Sequence, residues 1–177
     1  MQNFQWVGWI IQGVIALITL VAAIAAWRAA NAAKQSAAES HRTAVSQVIA
    51  QVTNNYASNE MLHGMMRLRS WKDKYGDNFA SEFYSKLNNK EEEAIILNED
   101  RRRFSHHMNQ IRLLFKRGVL EEDDVRELAT CGKFSQVGFL LEVVKPLEEV
   151  INPDCDHSLF EFFDNLCKNS KSDINSS

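Results

Sequence analysis

The chain has 177 residues and a nearly balanced charge, with 20 Lys and Arg against 23 Asp and Glu. That length allows one membrane span and one domain of ordinary size. The balance excludes the strongly basic surface that recruits nucleic acid. Two prolines and seven glycines favour long, uninterrupted helices, because these residues are the usual breaks. Cys131, Cys155 and Cys167 form an odd, widely spaced set, which predicts reduced thiols and no disulfide framework.

After a short tail at residues 1–5, residues 6–27 read WVGWIIQGVIALITLVAAIAAW, without a charged residue, His or Pro. As a helix this segment is about 33 Å long, which matches a bilayer core of about 30 Å. Lipid offers the backbone no hydrogen bonds, so the segment should be helical throughout. Trp6 and Trp9 at one end and Trp27 at the other suit the headgroup layers and are the predicted membrane-interface anchors. The lipid bilayer is therefore the first expected partner.

Two other interpretations of residues 6–27 remain. One is a buried core helix. The amphipathic helices that follow are too little material to surround such a helix on every side. The other is a cleaved signal peptide, because residues 23–25 (AIA) and 30–32 (ANA) both match the A-x-A pattern of a cleavage site. Against this, residues 1–5 carry no Lys or Arg, and the apolar run exceeds the usual length of about 7–15 residues.

The charges that flank the span predict its orientation. Arg28, Lys34 and Arg42 follow it, whereas no charged side chain precedes it. Under the positive-inside rule this asymmetry places the N-terminus outside and the C-terminal domain in the cytoplasm. The predicted location is the cell inner membrane, crossed once.

Residues 28–57 continue the helix as a stalk. Apolar residues recur there at three- and four-residue spacing, which is the helical period. A stripe of small residues lies along one face and would let two copies of the chain approach closely: Ala22, Ala26, Ala30, Ala33 and Ala37. Val45, Val48 and Val52 would extend that seam as a short coiled coil. The alternative to a homo-oligomer is that Ala is simply the best helix former on an exposed stalk.

Residues 58–167 predict a small helical bundle, and no alternating strand pattern occurs. The helical segments lie at residues 59–74, 79–87, 91–117, 121–129, 134–147 and 158–166. Ser58 is the expected cap of the first, and Pro146 is expected to bend or end the fifth. Residues 168–177 are polar and predict a disordered tail. The fold class is therefore all-α: a transmembrane helix, a stalk helix and a helical bundle.

The predicted helix at 91–117 carries the candidate site. Arg101 falls on its apolar stripe, with Asp100 and His107 beside the same face. A buried guanidinium needs carboxylate partners, because an unpaired buried charge is very costly. One interpretation is an ion-pair network that joins helices. The other is a grip on an anionic ligand or polar partner by Arg101 together with His107.

Two short motifs include metal-ligand residue types. Glu60 and His63 form one E-x-x-H, but a di-iron centre uses two such motifs and two further Glu. Residues 154–157 read DCDH, a single loop where zinc wants four ligands. Both are interpreted as helix starts, and no metal or cofactor is predicted. The chain contains no nucleotide-binding or hydrolase motif, so an enzyme is not expected.

The run Arg101-Arg102-Arg103-Phe104, then Ile111, Leu114 and the turn Arg117-Gly118-Val119-Leu120, resembles a group of small bacterial proteins of unassigned function. The resemblance covers residues 9–153. It implies one N-terminal span, a long helix and a helical domain at a bacterial inner membrane, with no catalytic residues to carry over.

These features predict a membrane-anchored, non-enzymatic helical protein that mediates protein–protein interaction or self-association at the cytoplasmic face. One alternative is a membrane-tethered enzyme or ligand sensor that uses Asp100, Arg101 and His107. Another is a stress or defence effector that acts on the membrane.

Overall fold

The computed structural model describes the backbone of residues 5–154 and 156–174, and the side chains of residues 12–169 except 14, 16 and 155. Within these ranges every regular element is a helix and none is a strand, which confirms the all-α class. The chain divides into two compact units after Ser46.

The first helix, α1 (Gln5–Tyr56), is 52 residues long. Among the described residues it is the one helix long and apolar enough to cross a membrane. Its apolar side chains are exposed in the single chain, including Leu17 and Trp27 at 66% and 67%. The side chains of Trp6 and Trp9 lie outside the described residues. All five alanines of the stripe are exposed.

The last turns of α1 belong to the second unit, which begins at Gln47. Val52 is 1% exposed and is part of the core of that unit. The predicted coiled-coil seam through Val45, Val48 and Val52 is therefore wrong at Val52, because a side chain buried within its own domain cannot also meet a second copy. Periodicity alone does not tell an internal partner from an external one.

Seven further α-helices follow within the described residues. Their bounds are α2 (Asn59–Tyr75), α3 (Phe79–Asn88), α4 (Glu92–Lys116), α5 (Glu122–Leu128), α6 (Gln136–Phe139), α7 (Lys145–Ile151) and α8 (Ser158–Ile174). Ser58 caps α2 as expected, accepting a hydrogen bond from the Met61 amide at 3.3 Å. The last helix continues to Ile174, into the segment for which the sequence predicts a tail. Residues 175–177 lie outside the described part of the chain.

The centre of the domain is α4, which packs against α2, α3, α5 and α8. Its side chains Phe104, Met108 and Ile111 are fully buried. Aromatic residues from other elements complete the core: Phe83, Phe139 and Phe163. Because α4 is buried along one stripe, its charged residues take fixed positions against the neighbouring helices.

Pro146 does not end its helix. A π-helical segment (Leu140–Val144) joins α6 to α7, and the chain stays helical from Gln136 to Ile151. Proline has no N–H, so the carbonyl four residues earlier, that of Glu142, loses its usual donor. Lys72 of α2 donates to that carbonyl from Nζ at 3.2 Å. A side chain from a neighbouring helix thus stabilises the irregular segment.

The structure joins Cys131 to Cys167 in a disulfide, with their Cα atoms 5.6 Å apart. The prediction that the cysteines form no disulfide is wrong for this pair. The two cysteines are 36 residues apart in sequence, and only the packing of α8 near the loop after α5 brings them together. Cys155 lies outside the described residues.

Candidate functional site

Asp100 is buried on α4 and is held by α2. Arg67 donates to it from Nε at 2.7 Å and from Nη2 at 2.8 Å. The carboxylate raises the pKa of Arg67, chiefly through this hydrogen bond. The pair is bidentate, which is the strongest geometry for Arg and a carboxylate. Arg103 adds a longer contact of 3.3 Å to Oδ1.

Arg101 is 5% exposed and forms an ion pair with Glu148 of α7. It also donates to the Asn98 side chain at 2.8 and 3.1 Å. Its guanidinium is therefore engaged by two acceptors within the domain, as the ion-pair interpretation of the sequence expects.

Arg112 repeats this arrangement one segment further along α4. It donates to the side chain of Asn109, three residues earlier, at 2.8 and 3.1 Å, and also to the hydroxyl of Ser158 on α8. Eleven residues separate Arg101 from Arg112, which is close to three helical turns and puts both on the same face. Both arginines link α4 to the C-terminal helices. The repeated N-x-x-R spacing is the signal in the sequence that identifies Arg112, which the apolar stripe alone does not.

His107 lies in a different environment from the other two candidate residues, Asp100 and Arg101. It is 5% exposed, and its ring stacks on Tyr56 of α1 with centroids 5.6 Å apart and planes 29° apart. Burial lowers its pKa, so the neutral imidazole is favoured. Its Nδ1 is buried and has no hydrogen-bond partner among the described residues.

A cavity of about 180 Å³ lies beside His107. The lining residues are Ile49, Val52, Thr53, Tyr56, His107, Glu127, Leu128 and Gln136. Gln136 carries a second buried atom, Oε1, that lacks a partner in the described structure. Its side chain also hydrogen-bonds the Tyr56 hydroxyl, whose pKa is raised by burial. The cavity thus combines apolar walls with polar groups and one carboxylate, that of Glu127.

The three candidate residues therefore do not form one site. Asp100 meets α2, Arg101 meets α7, and His107 meets the end of α1. Consecutive helical residues point about 100° apart, so neighbours such as Asp100 and Arg101 contact different elements. Arg67, Glu148, Tyr56 and Gln136, the partners that give each residue its role, lie far from them in sequence.

A second surface feature is a groove between α2 and α4, with a volume of about 310 Å³. Its lining residues are Met66, Arg67, Ser70, Trp71, Lys74, Glu93, Ile96 and Leu97. Met66 is 66% exposed and Ile96 39%, whereas Trp71 and Leu97 are buried beneath them. This surface is apolar and open to solvent.

The two short motifs take the places of helix starts. Glu60 lies in the first turn of α2, 4.0 Å from Arg103. Asp156 accepts hydrogen bonds from the Ser158 amide at 2.9 Å and from its hydroxyl at 2.7 Å, at the start of α8. In the part of the chain that the structure describes, no three His, Cys, Asp or Glu side chains are grouped to hold a metal ion.

Comparisons of the chain with protein families, with curated proteins and with solved structures find no match.

Proposed function

We propose that this protein is a membrane-anchored, non-enzymatic helical module that self-associates through α1 and binds a protein partner with its helical domain. The observation that carries the proposal is α1 itself. Its most apolar 18-residue window is entirely unburied by the described chain. An apolar helix left in water is unfavourable by roughly 1.5–3 kcal/mol for each large side chain, and a bilayer removes that cost.

Self-association is supported by the stripe of exposed alanines on α1. A second copy is the occupant that fits it, because small residues at intervals of three and four allow close approach of identical helices. Ala22 and Ala26 lie within the predicted span, and Ala30, Ala33 and Ala37 follow it. Val52 is committed to the domain core, so the contact is expected to follow residues 22–37 and not the end of α1.

The test is photo-crosslinking of the full chain in membranes. A photoreactive residue at Ala33 lies on the stripe, and one at Gln35 lies on the opposite face and serves as the matched control. We expect covalent dimers from position 33 and few from position 35. Equal yields at the two positions, or monomer from both, would contradict self-association through this face.

Partner binding is assigned to the groove between α2 and α4. The occupant we propose is an amphipathic helix of another protein, because two helices with buried Trp71 and Leu97 between them form an apolar trough, and helices dock in such troughs through residues spaced by three and four. Met66 at the edge has a flexible side chain that adapts to a partner.

A photoreactive residue at Met66 tests this surface, with one at the exposed Asn165 of α8 as the control. The expected product links position 66 to an amphipathic segment of a second protein, and Ile96→Glu removes it. Products that contain only this chain would show that a second copy fills the groove. Products unaffected by Ile96→Glu would contradict the assignment.

For the orientation we propose an N-terminus outside and a cytoplasmic domain at a cell inner membrane, supported by Arg28, Lys34 and Arg42. These charges act during insertion, whereas a disulfide forms afterwards according to the compartment. In a reducing cytoplasm the Cys131–Cys167 bond is expected to be open and to close on oxidation.

Counting thiols in growing cells tests this orientation. An impermeant maleimide should label no cysteine before lysis, and after acid quenching and denaturation all three cysteines should react. Labelling of intact cells, or a single reactive thiol after quenching, would place the domain on the oxidising side.

A further inference from the structure

We propose that Cys131 is a site of thiol–disulfide exchange, where the dithiol of a redox partner protein attacks the Cys131–Cys167 bond. The inference concerns how this bond opens and closes. It does not depend on self-association, on the groove between α2 and α4 or on the orientation in the membrane, because exchange needs only a thiol and access to one sulfur.

The two cysteines differ in their access to solvent. Cys131 is exposed in the loop between α5 and α6, whereas Cys167 is half-buried on α8 beside the buried Leu166. An attacking sulfur approaches in line with the bond that it breaks, from behind the sulfur that it attacks. An attack on Cys131 therefore comes from the side of the loop, and an attack on Cys167 from the side of the helix. Exchange at Cys131 is the less hindered of the two.

A surface depression of about 580 Å³ lies beside the bond and gives a partner room to approach. Both cysteines line it, together with the apolar side chains of Val137 and Leu141. Its charged residues are two lysines and two carboxylates: Lys133, Lys168, Glu142 and Asp164. An incoming thiolate therefore meets no net negative charge at this surface.

The exchange conserves atoms and electrons in two steps. One thiolate of the partner attacks Cys131 Sγ, forms a mixed disulfide with it and releases Cys167 as a thiolate, which takes up the proton that the partner's thiol lost. The second thiol of the partner then loses its proton and attacks the partner's own sulfur in the mixed disulfide. Cys131 leaves as a thiolate and takes up that proton. The partner's two thiols are oxidised to a disulfide, the chain's disulfide is reduced to two thiols, and the reverse sequence closes the bond.

Opening the bond separates the loop at 129–135 from α8 but leaves its contacts with α2 and α6. Arg69 of α2 donates to the Phe134 carbonyl at 3.4 Å. A Cβ atom at Gly138 of α6 would lie 2.2 Å from the Gly132 carbonyl oxygen, so the loop backbone packs directly on that helix. These contacts constrain the loop less than a covalent bond does, so the loop gains mobility when the bond opens. Phe134 is 82% exposed, and a label on its ring reports this mobility without disturbing the core.

The first experiment uses the full chain in detergent with the change Cys155→Ser, so that Cys131 and Cys167 are its only cysteines. Oxidised glutathione closes the bond. Reduced glutathione, a monothiol, then attacks it, and acid quenching at early times followed by peptide mass analysis locates the mixed disulfide. We expect glutathione on Cys131, formed at a rate proportional to the glutathione concentration.

Glutathione found mainly on Cys167 would overturn the proposal, and so would a bond that does not close. A rate that stops rising with glutathione concentration would also overturn it, because reduction would then wait for the domain to unfold.

The second experiment tests release of the loop by ¹⁹F NMR, with 4-fluorophenylalanine at position 134 and, as the control, at the fully buried Phe83. Reduction should narrow the signal from position 134, and reoxidation should restore its width, whereas the signal from position 83 should not change. Equal line widths at position 134 in the two states would contradict release of the loop.

Discussion

Gly64 allows α2 and α4 to approach closely enough for Arg67 to reach Asp100. A Cβ atom at position 64 would lie 2.8 Å from Asp100 Oδ1 and 3.0 Å from its Cγ. We expect Gly64→Ala to lower the free energy of unfolding by about 1–3 kcal/mol, even though Ala alone favours a helix by about 1 kcal/mol. Denaturant unfolding of the full chain in detergent measures the change.

The control for Gly64 is the same substitution in an Asp100→Ala background. There the contacts with Oδ1 and Cγ are gone and only the 3.2 Å contact with the Cβ of residue 100 remains, so the loss should shrink. An unchanged loss in that background would mean that Gly64 is needed for another reason.

Arg101 and Glu148 form a buried pair that links α4 to α7, and removing one partner leaves the other without its counter-charge. Arg101→Met should cost about 2–4 kcal/mol of unfolding free energy, somewhat less than for a fully buried pair because a quarter of the Glu148 side chain is exposed. The exposed neighbour Arg102→Met should change stability by less than about 0.5 kcal/mol. The double variant Arg101→Met/Glu148→Leu should recover much of the loss. Equal costs for Arg101 and Arg102 would contradict the structural role of the pair.

His107 makes stability depend on pH. Its pKa is below the ordinary 6.5 because the imidazole is buried, so the folded chain binds this proton only at lower pH than the unfolded chain does. The free energy of unfolding is therefore highest above about pH 6.5 and falls as the pH drops below it, by at most about 1.4 kcal/mol per pH unit. His107→Gln should flatten that part of the profile, whereas His106→Gln should not. Identical slopes for both variants would show that another group is responsible.

At the scale of elements, the disulfide fixes the loop after α5 to α8. Closing a loop of this length removes conformational freedom from the unfolded chain and is worth about 3–4 kcal/mol. Reduction, or Cys131→Ser, should lower the unfolding free energy by about that amount, and Cys155→Ser should have little effect. Unfolding followed with and without reductant measures it, and the same midpoint in both conditions would contradict the pairing.

The helices themselves are largely predictable from the sequence, because caps, breaks and periodicity are local signals. Local signals of this kind predict both Ser58 as the cap of α2 and the long helix α4. Pro146 shows its limit: the sequence marks the missing N–H, but Lys72, which satisfies the freed carbonyl, is 70 residues away. The same holds for the candidate site. The apolar stripe identifies Arg101 as buried, but its partner Glu148 and the neighbours of His107 depend on how the helices pack.

At the scale of the whole molecule, α1 takes part in both units. Its first part is apolar and exposed, whereas its last turns contribute Val52 and Tyr56 to the domain core and to the wall of the cavity. The role proposed for the protein depends on where that exposed part resides. If it lies in lipid, the domain is tethered and two copies can meet along the alanine stripe. If it lies in water, neither follows.

Carbonate extraction of membranes that contain the full chain tests this most directly. Alkaline carbonate removes proteins held by surface contacts but leaves those whose helices are dissolved in the bilayer. We expect the protein to stay in the membrane pellet and to be released only by detergent. Recovery of the intact chain in the carbonate supernatant would contradict it.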